Sequence, residues 1–205
     1  MATVEAIYAA TTQVLLEGGP GPLTTTRVAE RAGVSIGTLY QYFPHKRALL
    51  YALLQRHLNA LASAVEAARD GLIGQSLTVL SDGLVAAFIE ARTSDIDASR
   101  AIYLLGADLD TESLLTDVFD RVSSAVTVLL ASASDAAFSQ IDAVAQMICA
   151  TLSGTTRTVL ERAEPGALDV LRAELPRLCR TYLEVAKAPS RLAASGRGRH
   201  DAEGL

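Results

Sequence analysis

Between Thr24 and Pro44 the chain carries two helix starts and two helix stops in quick succession, and few folds accommodate that. Thr24 suits an N-cap, because its side-chain oxygen can accept from an orphan first-turn amide. Gly33 ends that helix, Thr25 to Ala32, since glycine enters the left-handed conformation at little cost. Ser35 caps the next helix, which runs to Tyr42 or Phe43 until Pro44 breaks it. Two short helices joined by a tight glycine-containing turn make a helix-turn-helix. Val28, Ala29, Ala32, Val34 and Leu39 have the small apolar character such a close crossing needs. The second helix exposes Ile36, Gly37, Thr38, Tyr40, Gln41 and Tyr42, nearly all polar or small. A DNA major groove accepts such a helix, and hydroxyls and amides bond phosphates and base edges there. A helical bundle of any kind can also contain a short helix pair, so geometry alone leaves both readings open.

The rest of the chain carries apolar residues at helical period, with sparse glycine and proline inside the periodic stretches. A first helix is expected at 3–17, ended by Gly18-Gly19-Pro20-Gly21-Pro22. A long fourth helix runs from Lys46 to about Arg69, with Leu49, Leu50, Leu53, Leu54, Leu58, Leu61 and Val65 along one stripe. Helices follow at about 75–93, 97–108, 112–131, 137–163 and 167–187, the last containing Pro176 and expected to kink there. The tail from Pro189 lacks apolar periodicity and reads as disordered. The fold class is therefore all-α.

The net charge of -5 argues against nucleic acid only if its distribution is ignored. Residues 1–60 hold five basic and three acidic groups, and the excess of acid lies entirely beyond them. A weakly positive head on an acidic body suits a protein that meets DNA at one end. No apolar run reaches the roughly 18 residues of a membrane span, and Met1-Ala2-Thr3-Val4-Glu5 lacks the positive start of a secretion signal. A cytoplasmic protein with no membrane partner is expected. Cys149 and Cys179 sit in apolar helical patterns and read as buried small hydrophobes. No Cys/His spacing resembles a metal site, and no nucleophile-elbow, phosphate-loop or dinucleotide fingerprint occurs, so no metal, cofactor or enzyme is expected.

The stretch from Thr24 to Leu50 resembles the signature of the TetR family of bacterial repressors. That pattern is a threonine cap, Val28-Ala29, Ala32-Gly33-Val34-Ser35, Gly37, Thr38-Leu39-Tyr40, Tyr42-Phe43, Lys46 and Leu49 as they stand here. Residues 5–23 fit that family's first helix and its glycine-containing loop, and the rest resembles it only in length and helical content. Three departures stand out: Arg27 where an acidic residue is common, His45 before the lysine, and a first helix with no basic arm ahead of it.

The resemblance implies an N-terminal three-helix helix-turn-helix DNA-binding domain over 1–47. It implies a larger helical ligand-binding and dimerisation domain over 48–187, and leaves 188–205 as the tail. Thr24, Thr25 and Thr26 open the first helix of the motif, where phosphates and bases are touched. Ser35, Ile36, Gly37, Thr38 and Gln41 lie at or on the recognition helix. Gln41 is the best candidate for a base contact, because its amide pairs bidentately with adenine, and Ile36 suits a thymine methyl. Tyr40, Tyr42, His45 and Lys46 suit the DNA backbone; packing for Tyr40 and capping for His45 are alternatives. The implied partners are a double-stranded DNA operator, a second copy of the chain and a small-molecule effector. The last two long helices would dimerise through Ala145, Ile148, Cys149, Leu152, Thr156, Val159, Leu171, Leu175, Leu178, Tyr182 and Leu183, or these complete the monomer core. The effector pocket is expected between the fourth helix and 75–131, with Tyr51, His57, Phe88, Arg92, Tyr103, Asp108 and Phe119 as candidate ligand-binding residues. Arg92 suits an acidic ligand or a solvated surface equally. Control by a protein partner, and activation in place of repression, are alternative readings.

Overall fold

The computed structural model describes residues 2–105 and 111–188, and among them every regular element is an α-helix. The helices are α1 (Ala2–Gly18), α2 (Thr25–Ala32), α3 (Ile36–Tyr42), α4 (Lys46–Leu72), α5 (Leu77–Thr93), α6 (Ile96–Leu104), α7 (Glu112–Ala131), α8 (Ile141–Arg162) and α9 (Ala167–Ala186). Asp108 and the tail from Pro189 lie outside the described residues.

The short helices begin and end where local chemistry dictates. Thr24 Oγ1 accepts from the Arg27 amide at 3.2 Å, and Ser35 Oγ accepts from the Thr38 amide at 2.9 Å. Gly33 closes α2 at φ 67°, and the Gly33 and Val34 amides take up carbonyls of its last turn. Each such cap contributes about 1 kcal/mol, a large share for helices too short to hold themselves.

The core is continuous from the small N-terminal helices into the body. Leu39, Val28, Leu23 and Leu49 are fully buried, and the Phe43 ring packs tilted against Tyr8 with centres 5.6 Å apart. α4 packs on α5 and α7, α5 on α9, and α7 on α8. α6 packs on α1, so the first helix touches the body as well as the helix-turn-helix. Two bidentate ion pairs bridge helices: Arg121 of α7 to Glu66 of α4, and Arg180 of α9 to Asp82 of α5.

Several boundaries differ from the periodic pattern: α4 runs on to Leu72, and α6 ends at Leu104, short of the expected 108. α5 starts at Leu77, and its first amide is bonded by Asp135 from the α7–α8 connection at 2.7 Å. α8 starts at Ile141, later than the pattern predicts. The Ala137 carbonyl accepts from Ala188, and Phe138 packs on the core from the connecting segment. α9 continues through Pro176.

Candidate nucleic-acid interface and ligand cavity

The outer face of the helix-turn-helix carries the polar set expected of it. Thr26, Ile36, Gly37, Tyr40, Gln41, Tyr42 and His45 are exposed, while Leu39 on the opposite side of α3 is fully buried. Thr25 Oγ1 and Tyr40 Oη are 3.0 Å apart, which ties the start of α2 to the middle of α3. The Tyr40 ring therefore lies on the surface with its hydroxyl anchored, not packed into the core. Ser35 Oγ also meets Thr38 Oγ1 at 2.8 Å.

Three side chains are partly committed within the chain. His45 Nδ1 accepts from the Ala48 amide at 3.0 Å, so His45 caps α4 while the residue stays exposed. Lys46 Nζ donates to the Pro20 carbonyl and clamps the α1–α2 loop. Lys46 is half-buried, and only its remaining N–H donors are free for a phosphate. Arg27 donates to the Pro22 carbonyl and lies 3.6 Å from Glu17. Glu17 also pairs with Arg31, whose hydrogen bond holds the carboxyl below the usual range.

A cavity of about 300 Å³ lies among α4, α5, α6, α7 and α8. Leu54, Leu58 and Leu61 of α4 form one apolar wall, and Val118, Phe119 and Val122 of α7 face it. Of the residues expected in a pocket, Phe88, Arg92, Tyr103 and Phe119 line this one. His57 stands behind Arg92 and accepts from its Nη1 at 3.1 Å. Burial, then the Arg92 charge, pushes the His57 pKa down to about 4, so its ring is neutral at pH 7. Tyr51 is not on the wall. It shares a helix face with Leu54 and Leu58 but lies a turn nearer the start of α4, and the cavity ends short of it.

Arg92 is only 6% exposed, so the solvated-surface reading of it fails. The sequence reading missed the α8 wall: Cys149, Ser153 and Arg157 recur at four-residue spacing and so share one face. That spacing was visible, but nothing in it said the face looks inward at a cavity. Cys149 and Cys179 are free and buried, and burial pushes each thiol up to about 11.

The residues expected at a dimer interface mostly complete the chain's own core. Ala145, Ile148, Cys149, Leu152, Thr156, Leu171, Leu175 and Leu183 are buried inside the single chain. The apolar residues left outward on α8 and α9 are Met147, Val170, Leu178 and Val185, at 51–81% exposure. An open groove of about 930 Å³ runs between the two helices, lined by Val159, Pro165, Val170 and Leu178 among others.

Residues 7–53 match the model of bacterial regulatory proteins of the tetR family, and residues 76–183 match the tetracyclin repressor-like C-terminal domain. The chain is 42% identical over 53 residues to the nucleoid occlusion factor SlmA of Haemophilus ducreyi, which spans 26% of each protein. A tetR-family regulatory protein from Rhodococcus RHA1 superposes with TM-score 0.72 at 19% identity, over 92% of this chain and 98% of that one. The SmeT–triclosan complex superposes with TM-score 0.72 at 19% identity over the full length of both chains. The helix-turn-helix, the helical body behind it and both model matches lead to one assignment: the chain belongs to the TetR family of DNA-binding transcriptional regulators.

Proposed function

We propose that this regulator is a homodimeric repressor, released from a palindromic operator when a small molecule fills the cavity among α4–α8. One observation carries the reading. α6 lines the cavity with Ile102 and Tyr103 and also packs on α1, while α4 lines it and begins beside α3. A change in cavity occupancy would therefore reach the DNA-reading helices through the α6–α1 packing and through the chain link from α4 to α3. Coupling through α4 alone, as its direct link to α3 first suggests, omits the α6–α1 contact.

The outward apolar residues of α8 and α9 are the face a second copy would cover. Two-fold pairing places the α3 helices on half-sites one helical turn apart, about 34–36 Å. Thr24, Thr25, Thr26, Ser35, Ile36, Gly37, Thr38, Tyr40, Gln41, Tyr42, His45 and Lys46 would meet DNA, with Gln41 reading a base. The effector would shift the population toward a spacing that no longer fits; a hundredfold loss of affinity requires only about 2.7 kcal/mol of differential binding. The place of action is the cytoplasm, where the DNA is.

Footprinting of the purified protein on its own promoter region, over a salt series, tests this. A protected pseudo-palindrome whose affinity falls steeply with salt is expected. Specific binding that no cavity ligand alters would sink effector control, and a site upstream of a promoter that it stimulates would replace repression with activation.

A further inference from the structure

The cavity contains a buried cation, Arg92, that meets no counter-charge among the described residues. Arg92 reaches it from α5, nine-tenths buried, and among the described residues no carboxylate pairs with it. Its Nη1 donates to the neutral His57 ring, and its Nε has no hydrogen-bond partner. The guanidinium stands 5.8 Å from the Phe88 ring centre and 5.7 Å from that of Tyr103. A second guanidinium, Arg157 of α8, lines the same cavity and stands 5.6 Å from the Tyr103 ring. Arg157 is exposed and pairs with Glu161 at 2.8 Å, so its charge is shared with solvent. The Tyr103 hydroxyl is buried between these groups and also lacks a partner.

A guanidinium held from water gains most from an anion that takes its N–H groups in pairs. A buried phenol that keeps its proton adds a further donor. Burial raises the Tyr103 pKa, so its hydroxyl donates and does not ionise. The rest of the wall is mostly leucine, valine, isoleucine and phenylalanine, with Thr111, Cys149 and Ser153 among them, which favours an apolar body over a polyanion.

We propose that the cavity selects a small apolar molecule bearing a single carboxylate, with Arg92, Arg157 and the Tyr103 hydroxyl holding its head group. This deepens the effector reading above and rests on it for any effect on DNA. Nothing in the ligand class itself depends on DNA release.

The test is calorimetric titration of the full chain, without DNA, with decanoate and 2-naphthoate and with their methyl esters. Each pair differs in the head group alone. At least one acid is expected to bind tenfold or more tighter than its ester. Arg157→Gln, at an exposed position, should cut that ratio severalfold with folding unaffected. Arg92→Gln should reduce it to near unity, with circular dichroism confirming the fold. Tyr103→Phe should lower acid affinity and leave ester affinity in place. Equal binding of acid and ester, an unchanged ratio in Arg92→Gln and Arg157→Gln, or no binding by either acid overturns the proposal. Acid binding that leaves the footprint intact supports the ligand class and sinks the effector reading, so the two fail separately.

Discussion

His57 shows how a single buried side chain sets a pH response. Its folded pKa lies at about 4, while an unfolded histidine titrates near 6.5. Between those values the unfolded chain holds the extra proton, so stability falls as pH drops through that window. The slope approaches about 1.4 kcal/mol per pH unit at most. His57→Gln should flatten this loss, read as the difference in urea midpoint between pH 7 and pH 5. A variant as acid-sensitive as the parent would assign the response to other groups. Gln41 is expected to act at the same scale on DNA. Its side chain is exposed on α3 beside the anchored Tyr40. Gln41→Ala should cost about 1–3 kcal/mol of operator affinity and relax preference at one base pair, with the salt slope unchanged. A uniform loss across all sequences would make Gln41 a backbone contact.

At the scale of elements, helix ends hold testable energy. Gly33 ends α2 at φ 67°, and a Cβ there would meet nothing within 4 Å. Gly33→Ala is therefore expected to destabilise by about 1 kcal/mol through backbone conformation alone. Ala163 ends α8 in the same conformation, at φ 52°, but carries a Cβ. Ala163→Gly should stabilise by about 0.5–1 kcal/mol, the relief exceeding the added freedom of the unfolded chain. Urea denaturation of the pair reads both signs, and two shifts in one direction would refute the conformational account. α5 differs in kind, because its N-cap Ser76 makes no side-chain bond and Asp135 supplies the partner from 58 residues away.

For the whole molecule, the proposed dimer rests on the outward apolar residues of α8 and α9. Leu178 is half exposed beside the groove while Leu175, one turn earlier, is buried. Leu178→Asp should leave the helical content unchanged and shift sedimentation from dimer to monomer. Operator affinity should then fall by at least tenfold, because one half-site binds without the other. A dimeric Leu178→Asp protein would move the interface elsewhere.

The helix-turn-helix was legible in the sequence because its determinants are local. Thr24, Gly33, Ser35 and Pro44 act within a turn of their own positions, and the helices they bound stand where the caps place them. The long helices were legible for a related reason: a helical apolar period survives whatever partner it packs on. Which partner that is was not. α8 and α9 carry apolar residues on more than one face, and only packing puts Leu175 in the chain's own core and leaves Leu178 outward. Arg92 was a charge on a helix until α4, α6 and α8 closed around it. Its burial, the neutral His57 and the arrival of Arg157 depend on residues far apart in the chain, brought together by tertiary contact that no local propensity encodes.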